Sequence, residues 1–104
     1  MENMVYYGSE LKVNVGLEPI GSLTMDGYDF NCEFYCYSNK KLIVNKSEMI
    51  KQDANNYVAI VDTKSVGTGS LKCKITAYIP DGDCEDGLRT EVLVINTRIS
   101  IVKG

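Results

Sequence analysis

Histidine and tryptophan are both absent from the 104-residue chain, and proline occurs only twice. The missing histidine removes the usual general base, the Ser-His and Cys-His nucleophile pairs and a common zinc ligand. Phosphate-binding motifs of the GxxxxGK[ST] and GxGxxG types are absent as well. The sequence therefore predicts a protein that is not an enzyme and that binds no cofactor or structural metal.

Long apolar runs are also missing, because no stretch reaches the 18 or so apolar residues that a membrane-spanning helix needs. The first ten residues, MENMVYYGSE, lack the basic and apolar regions of a Sec signal peptide. The net charge of −3, from 14 acidic and 11 basic residues, gives no electrostatic reason to expect nucleic acid as a partner. We therefore expect neither a membrane nor nucleic acid among the partners.

Four cysteines raise the question of disulfides. Cys32 and Cys36 fall in one predicted strand, about 13 Å apart, which is too far for a bond. Cys32 and Cys73 both lie on predicted inward faces and could approach each other across a sandwich. Without an export signal we predict four free thiols that act as small buried hydrophobes, with a Cys32–Cys73 bridge as the alternative.

The clearest pattern is the alternation of apolar and polar residues at positions 70–79, SLKCKITAYI. A period of two is typical of a β-strand with one face in a core and the other in water. Pro80 ends the pattern because it has no N–H for a strand ladder. We predict that this segment is the central strand of the fold.

Several other segments are predicted strands, and together they suggest a fold class. They are residues 10–17, 28–37, 41–45 (after a tight turn at Ser38, Asn39 and Lys40), 56–63 and 88–97, with 98–103 extending or following the last. Residues 46–52 fit at most two helical turns, with Ser47 as cap and Met49 and Ile50 against the core. About seven short strands with glycine-rich turns favour an all-β fold, an immunoglobulin-like antiparallel β-sandwich. Residues 10–104 would form this sandwich, and residues 1–9 an N-terminal arm or a first edge strand.

The acidic loop, residues 81–87 (DGDCEDG), is the best candidate for a metal. Asp81, Asp83 and Glu85 match the first, third and fifth positions of a calcium loop. Asp86 stands where that loop needs glycine, and Val92 stands where it needs a bidentate glutamate. We predict a solvated hairpin loop, with weak calcium binding as the alternative if other loops add ligands.

Some apolar and aromatic residues exceed what the predicted core needs. Spare surface of this kind is typical of contact sites, although tyrosine on a β-face also reflects strand propensity. The interface candidates are Met4, Val5, Tyr6 and Tyr7 before the first regular strand, and Tyr35, Tyr37 and Tyr78 on predicted outward faces.

Short runs at strand edges and turns extend over nearly the whole chain from Gly8 onward. They are YDFNCEFY at 28–35, DT at 62–63, GTGSL at 67–71, AYIPD at 77–81 and RTEV at 89–92. In these runs the chain resembles the small immunoglobulin-like virion structural proteins of tailed (crAss-like) bacteriophages. It is also similar in outline to the N-terminal domain of phage baseplate upper proteins, which carry that domain at the front of a longer chain.

The resemblance implies a non-enzymatic virion structural protein that is assembled in the host cytoplasm. Because the domain stands alone here, we expect an auxiliary (decoration) protein that is attached to the capsid through one sandwich face and the N-terminal arm. Its partners would be the major capsid protein or tail and connector subunits. The alternatives are a tail or baseplate component, and a module that binds a glycan or a host-surface partner.

Overall fold

The computed structural model describes residues 3–37 and 40–103. Ser38 and Asn39 of the predicted turn lie outside these ranges. Three short 3-10 turns, Met25–Gly27, Lys46–Glu48 and Thr63–Ser65, connect strands. The strands are β1 (Asn3–Tyr6), β2 (Glu10–Gly16), β3 (Asp29–Tyr35), β4 (Lys41–Asn45), β5 (Ile50–Asp53), β6 (Asn56–Asp62), β7 (Gly69–Pro80) and β8 (Leu88–Val102).

The strands form two sheets, a five-stranded one with the order β1-β8-β7-β3-β4 and a three-stranded one with the order β2-β6-β5. If β2 is taken as strand B of an immunoglobulin domain, β6 and β5 correspond to strands E and D in the same sheet. β3, β7 and β8 then correspond to strands C, F and G in the other sheet. β1 runs parallel to the end of β8, and the other pairs within the described ranges are antiparallel. The predicted all-β, immunoglobulin-like sandwich is confirmed, with eight strands instead of about seven.

β7 is the central strand that the alternating pattern predicts. It pairs with β3 on one side and with β8 on the other, and Pro80 is its last residue. Leu71, Cys73 and Ile75 are buried in the core, while Lys72 between them is exposed. The predicted strand register is therefore correct.

The core lies between the two sheets. Phe30 on β3 and Tyr57 on β6 meet across it in an edge-to-face contact, with ring centroids 5.3 Å apart. The largest fully buried side chains are Phe30, Phe34, Met25, Leu71, Ile101, Val61, Val66, Thr63 and Cys32.

The structure corrects the prediction for residues 46–52. One 3-10 turn is present, but its cap is Asn45 in a capping box with Glu48, and Ser47 has no such role. Met49 is buried as expected, whereas Ile50 is 52% exposed. Ile50 begins β5, an outer strand of the smaller sheet, and successive residues in a strand point to opposite faces. The side chain next to a buried Met49 is therefore directed away from the core.

Candidate interaction surface

Residues 3–6 of the N-terminal segment form β1, an edge strand of the five-stranded sheet. Val5 lies opposite the buried Ile101 of β8, and the Tyr7 backbone N–H donates to the Val102 carbonyl at 2.8 Å. Because Val5 points inward, Met4 and Tyr6 point outward, where they are 71% and 62% exposed. β1 thus presents two large apolar side chains from a paired backbone.

A buried threonine fixes the corner between β1 and β2. The Thr63 hydroxyl accepts from the Gly8 backbone N–H and donates to the Ser9 carbonyl, both at 2.8 Å. Thr63 is fully buried, and Gly8 adopts a φ of 103°, which favours glycine. The position of β1 is therefore set by the core and not only by its pairing with β8.

Strand register brings most of the predicted interface residues to one end of the five-stranded sheet. Tyr35 lies opposite Lys72 on the outward face of β3 and β7. Tyr37 packs on Gly69, since a Cβ at Gly69 would lie 3.0 Å from its ring. Gly69 in turn lies opposite Ile101, the neighbour of Val5. We call the outward surface of Met4, Tyr6 and Tyr35 at this end the tyrosine patch; Tyr37 borders it at Gly69, and Val5 lies beneath it. Tyr7 follows β1 at the same end and is 41% exposed.

Tyr78 does not belong to this patch. It lies opposite Asp29, at the other end of β3, six positions from the level of Tyr35. Six residues of an extended strand span about 20 Å. The three outward tyrosines that the sequence groups on neighbouring strands therefore occupy two separate places.

The first part of β8 carries the largest exposed apolar run of the described residues, and none of its residues is among the predicted interface candidates. We call residues 88–96 the free edge, because β1 pairs only with the segment from Ile99 to Val102 and no other described strand covers the outer side of residues 88–96. Four consecutive residues of this edge are exposed: Val92 55%, Leu93 50%, Val94 55% and Ile95 37%. The sequence contains a signal for this edge: the uninterrupted apolar run at residues 92–95, which is typical of a strand that is covered on both faces.

Beside the free edge, two open clefts separate β8 from β2 and from the segment that follows β2. One has a volume of about 320 Å³ and is lined by Lys12, Ile75 and Ile95 among others. The second, of about 250 Å³, shares Ile75 and is lined by Glu91 and Leu93. The inward side chains of the free edge therefore border apolar space that the three-stranded sheet does not fill.

A polar cluster ties the segment before β3 to the smaller sheet. The Tyr57 hydroxyl donates to one carboxylate oxygen of Asp26, and the Lys51 ammonium lies 2.7 Å from the other. These hydrogen bonds lower the pKa of Asp26, and the same contact with Asp26 raises the pKa of Tyr57 to about 12. Lys46 donates to the carbonyls of Met25 and Tyr28 at 2.9 and 2.8 Å. Every one of these contacts is internal to the fold, so the cluster is structural.

The acidic loop closes the turn between β7 and β8. Arg89 lies 2.6 Å from one oxygen of Asp81, and the Asp83 backbone N–H donates to the other at 3.0 Å. The hydrogen bond from the Asp83 N–H makes the largest contribution to lowering the pKa of Asp81, and the contact with Arg89 lowers it further. Within residues 3–37 and 40–103, no group of three or more acidic or cysteine side chains is arranged to hold a metal ion.

Cys32 and Cys73 lie close together, but not across the sandwich as predicted. Cys32 is opposite Ile75, and Cys73 is opposite Phe34, so the two thiols are diagonal neighbours on adjacent strands of one sheet. The contact with Cys73, together with burial, raises the pKa of Cys32. All four cysteines are present as thiols, and Cys84 is the least buried.

In the described parts of the chain, no helix has the length and apolar character to cross a membrane. Comparison of the chain with protein-family models, with curated proteins and with solved structures finds no match.

Proposed function

We propose that this chain is a non-enzymatic structural protein of a phage virion, an auxiliary protein that attaches to the capsid through the tyrosine patch. The observation that carries the proposal is the register that places Met4 and Tyr6 on β1 at the same end and on the same face as Tyr35 on β3. Strands lie about 4.8 Å apart, so the patch extends about 14 Å across the sheet. The virion setting comes from the family resemblance of the sequence.

The chemistry of the patch suits a protein contact. The tyrosine ring supplies apolar contact area, and its hydroxyl can still form a hydrogen bond when the ring is buried. Residues of this kind contribute much of the binding energy at protein interfaces. Met4 and Tyr6 are more than half exposed in the isolated chain, so docking would remove their apolar surface from water.

The patch is also held in place before any partner binds. β1 is paired with β8 and fixed at its corner by Thr63, and Tyr37 rests on Gly69. A pre-ordered surface loses less conformational entropy on binding than a flexible arm. We therefore propose docking by a preformed strand surface on the major capsid protein, with tail or connector subunits as the alternative partners.

The experiment compares attachment of tagged variants to purified virions that lack the untagged chain. We expect Tyr6→Ser with Tyr35→Ser to abolish co-sedimentation with particles while the melting temperature stays close to that of the unmodified chain. Tyr78→Ser is the matched control, because it removes a tyrosine from the same sheet face outside the patch, and it should attach normally.

A second control, Asp83→Asn, tests the acidic loop and should also attach normally. The proposal is wrong if the unmodified chain is absent from purified virions, or if the double variant attaches as well as the unmodified chain. Loss of attachment with Tyr78→Ser or Asp83→Asn alone would instead place the contact at the opposite end of the sandwich.

A further inference from the structure

We propose that the free edge of β8 pairs with the free edge of a second copy, antiparallel and about a twofold axis at Leu93, to give a dimer with one continuous ten-stranded sheet. This inference does not depend on the virion role, because it concerns the isolated protein. It rests on three features of residues 88–96: an uncovered backbone edge, exposed apolar side chains on both faces, and a self-complementary order of residues.

The first feature is the uncovered backbone. Nine residues of extended chain present about 30 Å of edge, with N–H and carbonyl groups available for a further strand. The other outer strands are better protected: β5 has four residues and β4 has five, with Lys41 on the latter. β2 directs Lys12 and Asn14 away from the core. Charged, short or polar edges resist pairing, and residues 92–95 have none of these protections.

The second feature decides how a partner must approach. Val92 and Val94 lie opposite Thr76 and Lys74 on the outward face of β7, while Leu93 and Ile95 lie opposite the core residues Ile75 and Cys73. A protein that docked on one face of the sheet would cover only one of these pairs. A strand added to the edge has side chains on both faces, so it covers both pairs at once.

The third feature identifies the added strand as a second copy. In an antiparallel pair, residues directly opposite each other share a face, and a twofold axis normal to the sheet makes the contact isologous. With the axis at Leu93, Val92 meets Val94 of the second copy on the outward face, and Leu93 meets its own equivalent on the inward face. Apolar side chains thus meet apolar side chains on both faces.

Charges agree with this register. The axis places Glu91 of the second copy opposite the uncharged Ile95. It also places Thr90 opposite Asn96 of the second copy, so no two like charges face each other across the new pair. The twofold symmetry repeats each of these pairs at the other end of the interface.

The test measures the oligomeric state of the purified full chain by sedimentation velocity over a micromolar dilution series. An edge contact of this length is small for a protein interface, so we expect a reversible monomer–dimer equilibrium with a micromolar dissociation constant. Val92→Lys places a lysine against Val94 of the second copy and should weaken dimerisation about tenfold or more. Adding Val94→Glu to it should restore the dimer, because the introduced charges then pair twice across the axis.

Ile43→Lys is the matched control: Ile43 is an exposed apolar residue on β4, the opposite edge of the same sheet, and its replacement should leave the dimer unchanged. Melting curves of each variant show that the monomer fold is retained. A chain that stays monomeric throughout the series, or a Val92→Lys variant that dimerises as tightly as the unmodified chain, overturns the proposal. Failure of Val94→Glu to restore pairing overturns the position of the axis at Leu93.

Discussion

Tyr57 donates its phenolic hydroxyl to the carboxylate of Asp26, and this contact joins the middle strand of the smaller sheet to the segment that leads into β3. Lys51 pairs with the same carboxylate from β5. Two elements of the three-stranded sheet therefore hold one residue beside the five-stranded sheet. The hydrogen bond from Tyr57 and the ion pair with Lys51 therefore help to hold the two sheets together.

The Asp26 contacts predict a specific acid sensitivity. Hydrogen bonds from Lys51 and Tyr57 hold the folded-state pKa of Asp26 below its usual value of 3.8. A lowered pKa contributes stability that is present above the unfolded-state pKa and is lost as the pH falls through the folded-state pKa. We expect the urea midpoint of the unmodified chain to fall more steeply below about pH 4 than that of Asp26→Asn.

Asp83→Asn serves as the control for this prediction, because it removes a carboxylate that lies outside the cluster. Its midpoint should follow that of the unmodified chain over the same pH range. Parallel curves for the unmodified chain and Asp26→Asn would show that the Asp26 contacts contribute nothing to acid stability. At the alkaline end, ultraviolet titration should show one tyrosine ionising near pH 12 in the unmodified chain and earlier in Asp26→Asn.

We predict that the buried hydroxyl of Thr63 contributes more to the free energy of unfolding than its methyl group does. Thr63→Val leaves the Gly8 N–H and the Ser9 carbonyl without their side-chain partner, at a cost of about 1–3 kcal/mol in the free energy of unfolding. Thr63→Ser keeps the hydroxyl and should cost less. Equilibrium urea unfolding of both variants measures the difference, and an equal or larger loss for Thr63→Ser would contradict the role of the hydroxyl.

Core and surface positions of β7 should respond differently to truncation. Leu71 is fully buried, so Leu71→Ala should lower the free energy of unfolding by about 2–5 kcal/mol. Lys72, the next residue, is exposed, and Lys72→Ala should stay within about 0.5 kcal/mol. Chemical denaturation of the two variants gives the comparison, and similar losses for both would mean that the strand register is wrong.

The four thiols give a labelling prediction. Alkylation of unfolded, unreduced protein should modify four sites per chain, whereas two sites would indicate a Cys32–Cys73 bridge. In the native protein we expect Cys84 to react first, because Cys32, Cys36 and Cys73 are buried and burial raises the pKa of Cys36. Mass spectrometry after short exposure to the reagent identifies the modified residue.

Alternation along the chain was sufficient to predict β2, β3 and β7, because each has one buried face and one solvated face. It was not sufficient for Ile50, whose environment depends on β5 being an outer strand. The neighbours of a strand are decided by contacts between residues that are distant in sequence, and a local pattern does not contain them. The same limit explains why Cys32 and Cys73 were expected in different sheets.

For the candidate surfaces too, local sequence patterns predicted some features, whereas others depend on strand pairing. The exposed side chains of Met4 and Tyr6 were predicted from apolar residues that precede the first regular strand. The separation of Tyr78 from Tyr35 depends on the pairing of β3 with β7, which only the register reveals. The free edge was missed because the run at residues 92–95 is typical of a covered strand, whereas β1 covers β8 only from Ile99 onward.

The parallel pairing of β1 with β8 has a consequence for folding order. Asn3 and Ile99 lie 96 positions apart in the sequence, whereas β7 and β8 meet across the short acidic loop. Closing a long loop costs more entropy than closing a short one, so contacts between distant segments form late. We expect Val5→Ala to accelerate unfolding and to leave the folding rate nearly unchanged in stopped-flow measurements. The tyrosine patch would then be completed only in the last step, so a folding chain does not present it to a partner too early.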